Sequence, residues 1–277
     1  MIGPLQLLLL KKRFDMWWGG LTRRVFRYQG QDIHYWRGGK GQTIMLVHGL
    51  GGSTLQDFAG LACVLSRHYE IISIDLPGYG LSYRSNLPQS IASHRDFLLH
   101  FAETLGIPQA HWLGNSMGGW ICMDLAVRHP TRVGRLILFA TAGLEFVYPP
   151  PEIFLPKNED DMKKLVSHLL FDPPELPRAF IEDWKKFMIG RAGAIRRMLD
   201  SMLTRADLME GRTGGIAAPT LILWGEEDRI IPVECAHRLR DQIPHNRTVL
   251  FPRCGHLIQQ THFKEVVAEV RGWLEAG

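Results

Sequence analysis

His111-Trp112-Leu113-Gly114-Asn115-Ser116-Met117-Gly118-Gly119 runs from a short apolar stretch straight into a Gly-x-Ser-x-Gly turn. A helical pattern continues from there to His129, where Pro130 stops it. A serine on so sharp a strand-to-helix turn occupies strained backbone, and flanking glycines let the two elements approach closely. The helix N-terminus beyond Ser116 offers the Met117 amide and the positive dipole end to an oxyanion. Taken alone the pattern is also that of a plain glycine-rich turn, so its surroundings decide.

Those surroundings alternate strand and helix. Thr43–Val47, Ile71–Ile74, His111–Leu113, Leu136–Ala140, Leu221–Trp224 and Val249–Phe251 are short apolar runs bounded by Gly, Asp or Pro, as buried parallel strands are. Residues 22–37 read as an antiparallel leading pair with a turn near Gly30. Leu98, Phe101 and Leu105 mark a helix, and Val266, Val267, Val270, Trp273 and Leu274 a closing one. The alternation implies an α/β layered fold with its site at the carboxyl ends of the strands. It lapses over residues 146–218. Seven of the sixteen prolines fall between 149 and 177, and Ile195, Met198, Leu199 and Met202 form an apolar stripe. Phe154, Phe171, Phe180, Trp184 and Phe187 are too many large apolar groups for a solvated linker. A helical lid is expected there, or a plain extra helical layer. The core then comprises residues 22–145 and 219–277.

A serine nucleophile needs a base, and the base needs an orienting acid. His256, in Pro252-Arg253-Cys254-Gly255-His256, follows the last strand on the correct side of the sheet. His245 and His262 are expected to lie too far away. Leu223-Trp224-Gly225-Glu226-Glu227-Asp228 leaves a strand end with three carboxylates; Asp228 is the first choice and Glu227 the second. The order Ser…Asp…His, each after a strand, is that of a hydrolase triad. His48-Gly49-Leu50-Gly51-Gly52 follows the first buried strand and lacks the phosphate-loop pattern. The Leu50 amide is therefore the candidate oxyanion donor opposite Met117. Asp75, before Leu76-Pro77-Gly78-Tyr79-Gly80, reads as a loop-shaping carboxylate.

HGLGG, DLPGYGLS, GNSMGG, WGEED and CGH together resemble the α/β-hydrolase superfamily over nearly all the chain outside the first twenty residues and the lid. The resemblance implies a mostly parallel eight-stranded sheet flanked by helices. It also implies roles for Ser116 as nucleophile, Asp228 as orienting acid, His256 as base, and Leu50 and Met117 as oxyanion donors. Thr22-Arg23-Arg24-Val25 and Thr141-Ala142-Gly143-Leu144 are similar to monoacylglycerol-lipase-like and carboxylesterase members, some of which carry an N-terminal membrane anchor. Two departures stand out. Thr261-His262-Phe263 replaces the Glu-Arg/Lys-Pro step of many relatives, which leaves the start of the last helix open. Relatives that cleave carbon–carbon bonds in ring-fission products usually have Trp after the histidine, where this chain has Leu257.

Composition narrows the rest. The net charge of +4 is concentrated at the entry, where residues 1–27 hold six basic side chains against Asp15 alone. A basic patch within the fold is missing, so nucleic acid is not expected as a partner. Leu7, Leu10, Phe14, Trp17, Trp18 and Leu21 form a helical stripe that Lys11, Lys12 and Arg13 largely avoid. Residues 1–21 thus read as an amphipathic segment that rests on an anionic membrane, on the protein's own body or on a second subunit. Cys63, Cys122, Cys235 and Cys254 show no CxxC spacing and read as reduced, packed thiols of a cytoplasmic protein, with no metal and no organic cofactor.

The expected activity is hydrolysis of lipid-like carboxylic esters, since the lid is rich in Phe, Met and Leu. Activity should fall on acidification, because the base works unprotonated. Carbon–carbon bond hydrolysis by the same triad is the alternative, and a non-catalytic small-molecule receptor a third reading. Ser116 at the nucleophile position excludes haloalkane dehalogenase and epoxide hydrolase chemistry.

Overall fold

Alternate residues of each central strand belong to different cores. Ile44 and Leu46 of β3 (Thr43–Val47) pack into one, Met45 and Val47 into the other. The computed structural model describes residues 3–276, so the first two residues of the amphipathic segment and Gly277 lie outside the described residues. The remaining strands are β1 (Thr22–Tyr28), β2 (Gln31–Gly38), β4 (Glu70–Ile74), β5 (Ala110–Asn115), β6 (Val133–Phe139), β7 (Thr220–Gly225) and β8 (Asn246–Phe251). They form one eight-stranded sheet in the order β1-β2-β4-β3-β5-β6-β7-β8. β1 and β2 pair antiparallel, β2 meets β4 antiparallel, and every later pairing is parallel. Each expected strand is present. Several begin one to three residues earlier than their apolar runs, because polar residues such as Glu70, Arg135 and Thr248 also belong to strands.

The helices are α1 (Pro4–Trp18), α2 (Thr54–Asp57), α3 (Ala59–Leu65), α4 (Ile91–Thr104), α5 (Met117–Arg128), α6 (Glu159–Leu169), α7 (Arg178–Ile189), α8 (Ala192–Leu203), α9 (Glu234–Gln242), α10 (Ile258–Thr261) and α11 (Phe263–Glu275). α3 and α11 cover one sheet face together with Met16 of α1, and α4, α5 and α9 cover the other. The chain between β6 and β7 folds into α6, α7 and α8 above the strand ends, with Leu165, Ile195, Met198 and Leu199 buried. The departure at Thr261-His262-Phe263 is a break: α10 ends at Thr261 and α11 begins at Phe263.

α1 rests on the protein's own body, one of its three expected placements, but not through the expected stripe. Its inward side is Leu5 and Met16, both buried, with Leu9 and Lys12 half-buried, packed on α3 and on α7. The stripe picked out by periodicity points outward, with Phe14 57%, Trp17 60% and Trp18 78% exposed and their rings clustered. Leu21 instead joins the core. The helix has two apolar sides, and periodicity finds the longer one. No helix among the described residues is long and apolar enough to cross a membrane. Three cysteines are buried, but Cys63 is half-buried beneath α1, so tight packing holds for three of the four.

His94 on α4 is buried and faces Gln89 Oε1 at 3.2 Å. Burial, with the neighbouring His48 adding to it, pushes its ring down to about 3. Unfolded histidine titrates near about 6.5. Between those limits the unfolded chain takes a proton that the folded chain refuses, so stability falls as pH falls through that window. His94→Gln is expected to flatten the decline of Tm between about pH 6.5 and pH 4. Parallel Tm curves for parent and variant would contradict this.

Candidate active site

Ser116 sits between β5 and α5 with φ +52° and ψ −116°, a positive-φ conformation that a residue with a side chain adopts at a cost of about 1–3 kcal/mol. Its surroundings hold it there. The Ser116 amide donates to Phe139 O at 2.9 Å, and its carbonyl accepts from the amides of Trp120 and Ala142, both at 3.2 Å. The flanking glycines are sterically required: a Cβ on Gly114 would strike the Gly118 backbone, and one on Gly118 the Val47 carbonyl.

Asp228 follows β7 and His256 follows β8. His256 Nδ1 lies 2.7 Å from Asp228 Oδ2, both side chains buried. The other carboxylate oxygen, Oδ1, accepts from the amides of Ile230 and Ile231 at 2.8 and 3.0 Å. The second-choice acid, Glu227, does a different job: its Oε2 accepts from the Cys254 amide at 2.9 Å and so holds the loop that carries His256. From the other side the His256 amide donates to Leu169 O, at the end of α6, at 2.9 Å. His245 accepts the Thr220 amide on its backbone carbonyl, and His262 packs on Phe251.

The loop after β3 is pinned at Gly49. The Gly49 amide donates to Asp57 Oδ2 at 2.9 Å, and its carbonyl takes the Gly52 amide at 3.1 Å. His48 Nε2 accepts from the Leu76 amide at 2.9 Å, so the ring proton is on Nδ1, which donates to Gly49 O at 2.8 Å. With Gly49 fixed, the amides of Leu50 and Met117 find no backbone acceptor among the described residues. Asp75 is a loop carboxylate: it accepts from the amides of Thr54 and Leu81, both at 2.8 Å.

Sequence reading missed Asp57. Its Oδ2 also accepts from Asn115 Nδ2 at 2.9 Å, so one buried oxygen ties the glycine loop to the residue before Ser116. A carboxylate a few residues past a glycine-rich loop is too weak a signal to find it.

Ser116, His256, Leu50, Asp57 and Asn115 line one cavity of about 100 Å³. Phe154, Leu165, Leu169, Trp184 and Met188 roof it, and Leu257 and Gln260 close one side. None of its lining residues is Lys or Arg. A larger cavity, about 620 Å³ beside the proline-rich 173–178 loop, touches none of the candidate residues. Among the described residues no group of three His, Cys, Asp or Glu side chains is placed to hold a metal ion.

The model of the alpha/beta hydrolase family matches residues 44–270. A 2-hydroxy-6-oxononadienedioate/2-hydroxy-6-oxononatrienedioate hydrolase of Pseudomonas putida is 30% identical over 83% of this chain and 87% of its own. One of the same name from Burkholderia vietnamiensis is 29% identical over 86% and 90%. Among solved structures, a lipase from Acinetobacter baumannii, so named provisionally, superposes with TM-score 0.87 at 25% identity, over 96% of this chain and 95% of its own. With a matching model over most of its length and the strand order and Gly-x-Ser-x-Gly turn described above, this chain belongs to the alpha/beta hydrolase family.

Proposed function

We propose that the protein hydrolyses neutral, apolar carboxylic esters through an acyl-enzyme on Ser116. His256 takes the Ser116 proton as Oγ attacks the ester carbonyl, and Asp228 stabilises the imidazolium. The Leu50 and Met117 amides receive the oxyanion, each worth roughly 3 kcal/mol by analogy with measured donors. The tetrahedral adduct collapses as His256 gives its proton to the departing alcohol. His256 then deprotonates a water, which attacks the acyl carbon, and the carboxylic acid leaves with Ser116 restored. The observation that carries this reading is the charge of the cavity: beside His256 its one ionisable wall is Asp57, and the cation Lys12 lines the adjoining compartment rather than the walls around Ser116. Burying an unpaired carboxylate against such walls is strongly unfavourable.

Carbon–carbon bond hydrolysis is the second reading, and the names of the curated relatives favour it over the ester reading. Their substrates, as named, are dioates, and the walls around Ser116 offer neither carboxylate a cation. A series of p-nitrophenyl esters from two to sixteen carbons separates the two, with Ser116→Ala as blank and a 2-hydroxy-6-oxodienedioate assayed beside it. Turnover of medium or long esters that vanishes in the variant is the expected result. Turnover of the dienedioate with inert esters would reverse the assignment.

A further inference from the structure

A second cavity of about 190 Å³ lies between α1 and the lid helices, and Leu169, Trp184, Leu257, Gln56 and Gln260 are walls of both it and the Ser116 cavity. Its other walls are apolar with one exception. Leu5, Leu8 and Leu9 come from α1, Leu176 and Phe180 from the lid, and the single ionisable lining group is Lys12. Lys12 is half-buried and its Nζ donates to Gln56 O at 3.3 Å, at the junction of the two cavities. An ammonium has three donors, and this one spends a single long bond on a carbonyl. Burial lowers its proton affinity, partly offset by Asp57 nearby. A partly desolvated cation at the head of an apolar trough is matched by one chemistry, an alkyl chain ending in a single anion.

We propose that this compartment binds a long-chain monocarboxylate, with its carboxylate on Lys12 and its chain between α1 and the lid. The inference rests on the ester reading in one respect: such an acid is the product released beside the junction. The compartment then removes the acid from Ser116, and its occupancy ties α1 to the lid. It also gives the inward side of α1 a task beyond packing, since the half-buried Lys12 is poorly placed as a core residue.

The test is calorimetric titration of the full chain carrying Ser116→Ala, which cannot turn substrate over, with decanoate and with decanol. Decanoate is expected to saturate one site and to bind more tightly than decanol. Lys12→Met is expected to weaken decanoate by about tenfold, the order of one charge-assisted hydrogen bond, and to leave decanol unchanged. Leu176→Trp, which fills the trough, is expected to weaken both. Thermal melts establish that each variant is folded. Equal decanoate affinity with and without the Lys12→Met substitution, or no saturable decanoate binding, overturns the proposal. Saturable, Lys12-dependent binding in a protein whose Ser116 form leaves esters intact would keep this site and remove the ester reading instead.

Discussion

Asp228→Asn is expected to lower kcat on a p-nitrophenyl ester by about a thousand- to ten-thousandfold, with KM little changed. The reason is local. The amides of Ile230 and Ile231 both point at Oδ1, so a carboxamide there keeps its oxygen on that side. Its NH2 then faces His256 Nδ1, where Asp228 Oδ2 now stands at 2.7 Å. An NH2 only donates, so Nδ1 must accept and the ring proton moves to Nε2. That tautomer cannot take the Ser116 proton. Turning the amide over would restore the tautomer but leave two buried backbone donors facing an NH2, at about 1–3 kcal/mol each. The wrong tautomer therefore prevails. Steady-state kinetics with Ser116→Ala as the floor reads the effect, and a loss of less than about tenfold would mean that Asp228 does not set the tautomer of His256.

Local chemistry made the meeting of Ser116, Asp228 and His256 legible. Each follows a strand, and a parallel sheet carries all its strand ends to one edge, so three turns distant in sequence meet without further information. The order of the strands was less legible than their existence: nothing in the apolar runs themselves sets β4 between β2 and β3. What the sequence hid are contacts that one side chain makes across long separations. Asp57 reaches Asn115 from 58 positions away, and Leu169, at the end of α6, holds the His256 amide. Neither changes the local pattern of apolar and polar residues. α1 shows the converse: a clear periodicity pointed to one side of the helix, while Leu5, Leu9 and Met16 settled against the body.

Asp57→Ala is expected to lower kcat by about ten- to a hundredfold, and Asp57→Asn to restore it to the parent value or above. The carboxylate lies in the cavity wall, where its charge opposes an oxyanion forming at Leu50 and Met117. Its service must therefore be geometric. Oδ2 alone receives both the Gly49 amide and Asn115 Nδ2. Alanine leaves both donors unpaired in a buried site and frees the loop that aims the Leu50 amide, so the transition state suffers more than substrate binding. Asparagine keeps an oxygen for the two donors and turns its NH2 toward the cavity, removing the opposing charge at no geometric loss. Measuring kcat and KM for both variants on one neutral ester separates the effects. If asparagine is as impaired as alanine, the charge of Asp57 matters and its role is not positioning. If neither variant changes kcat, the glycine loop holds its shape through His48 and Gly52 alone, and the Leu50 amide needs no support from Asp57.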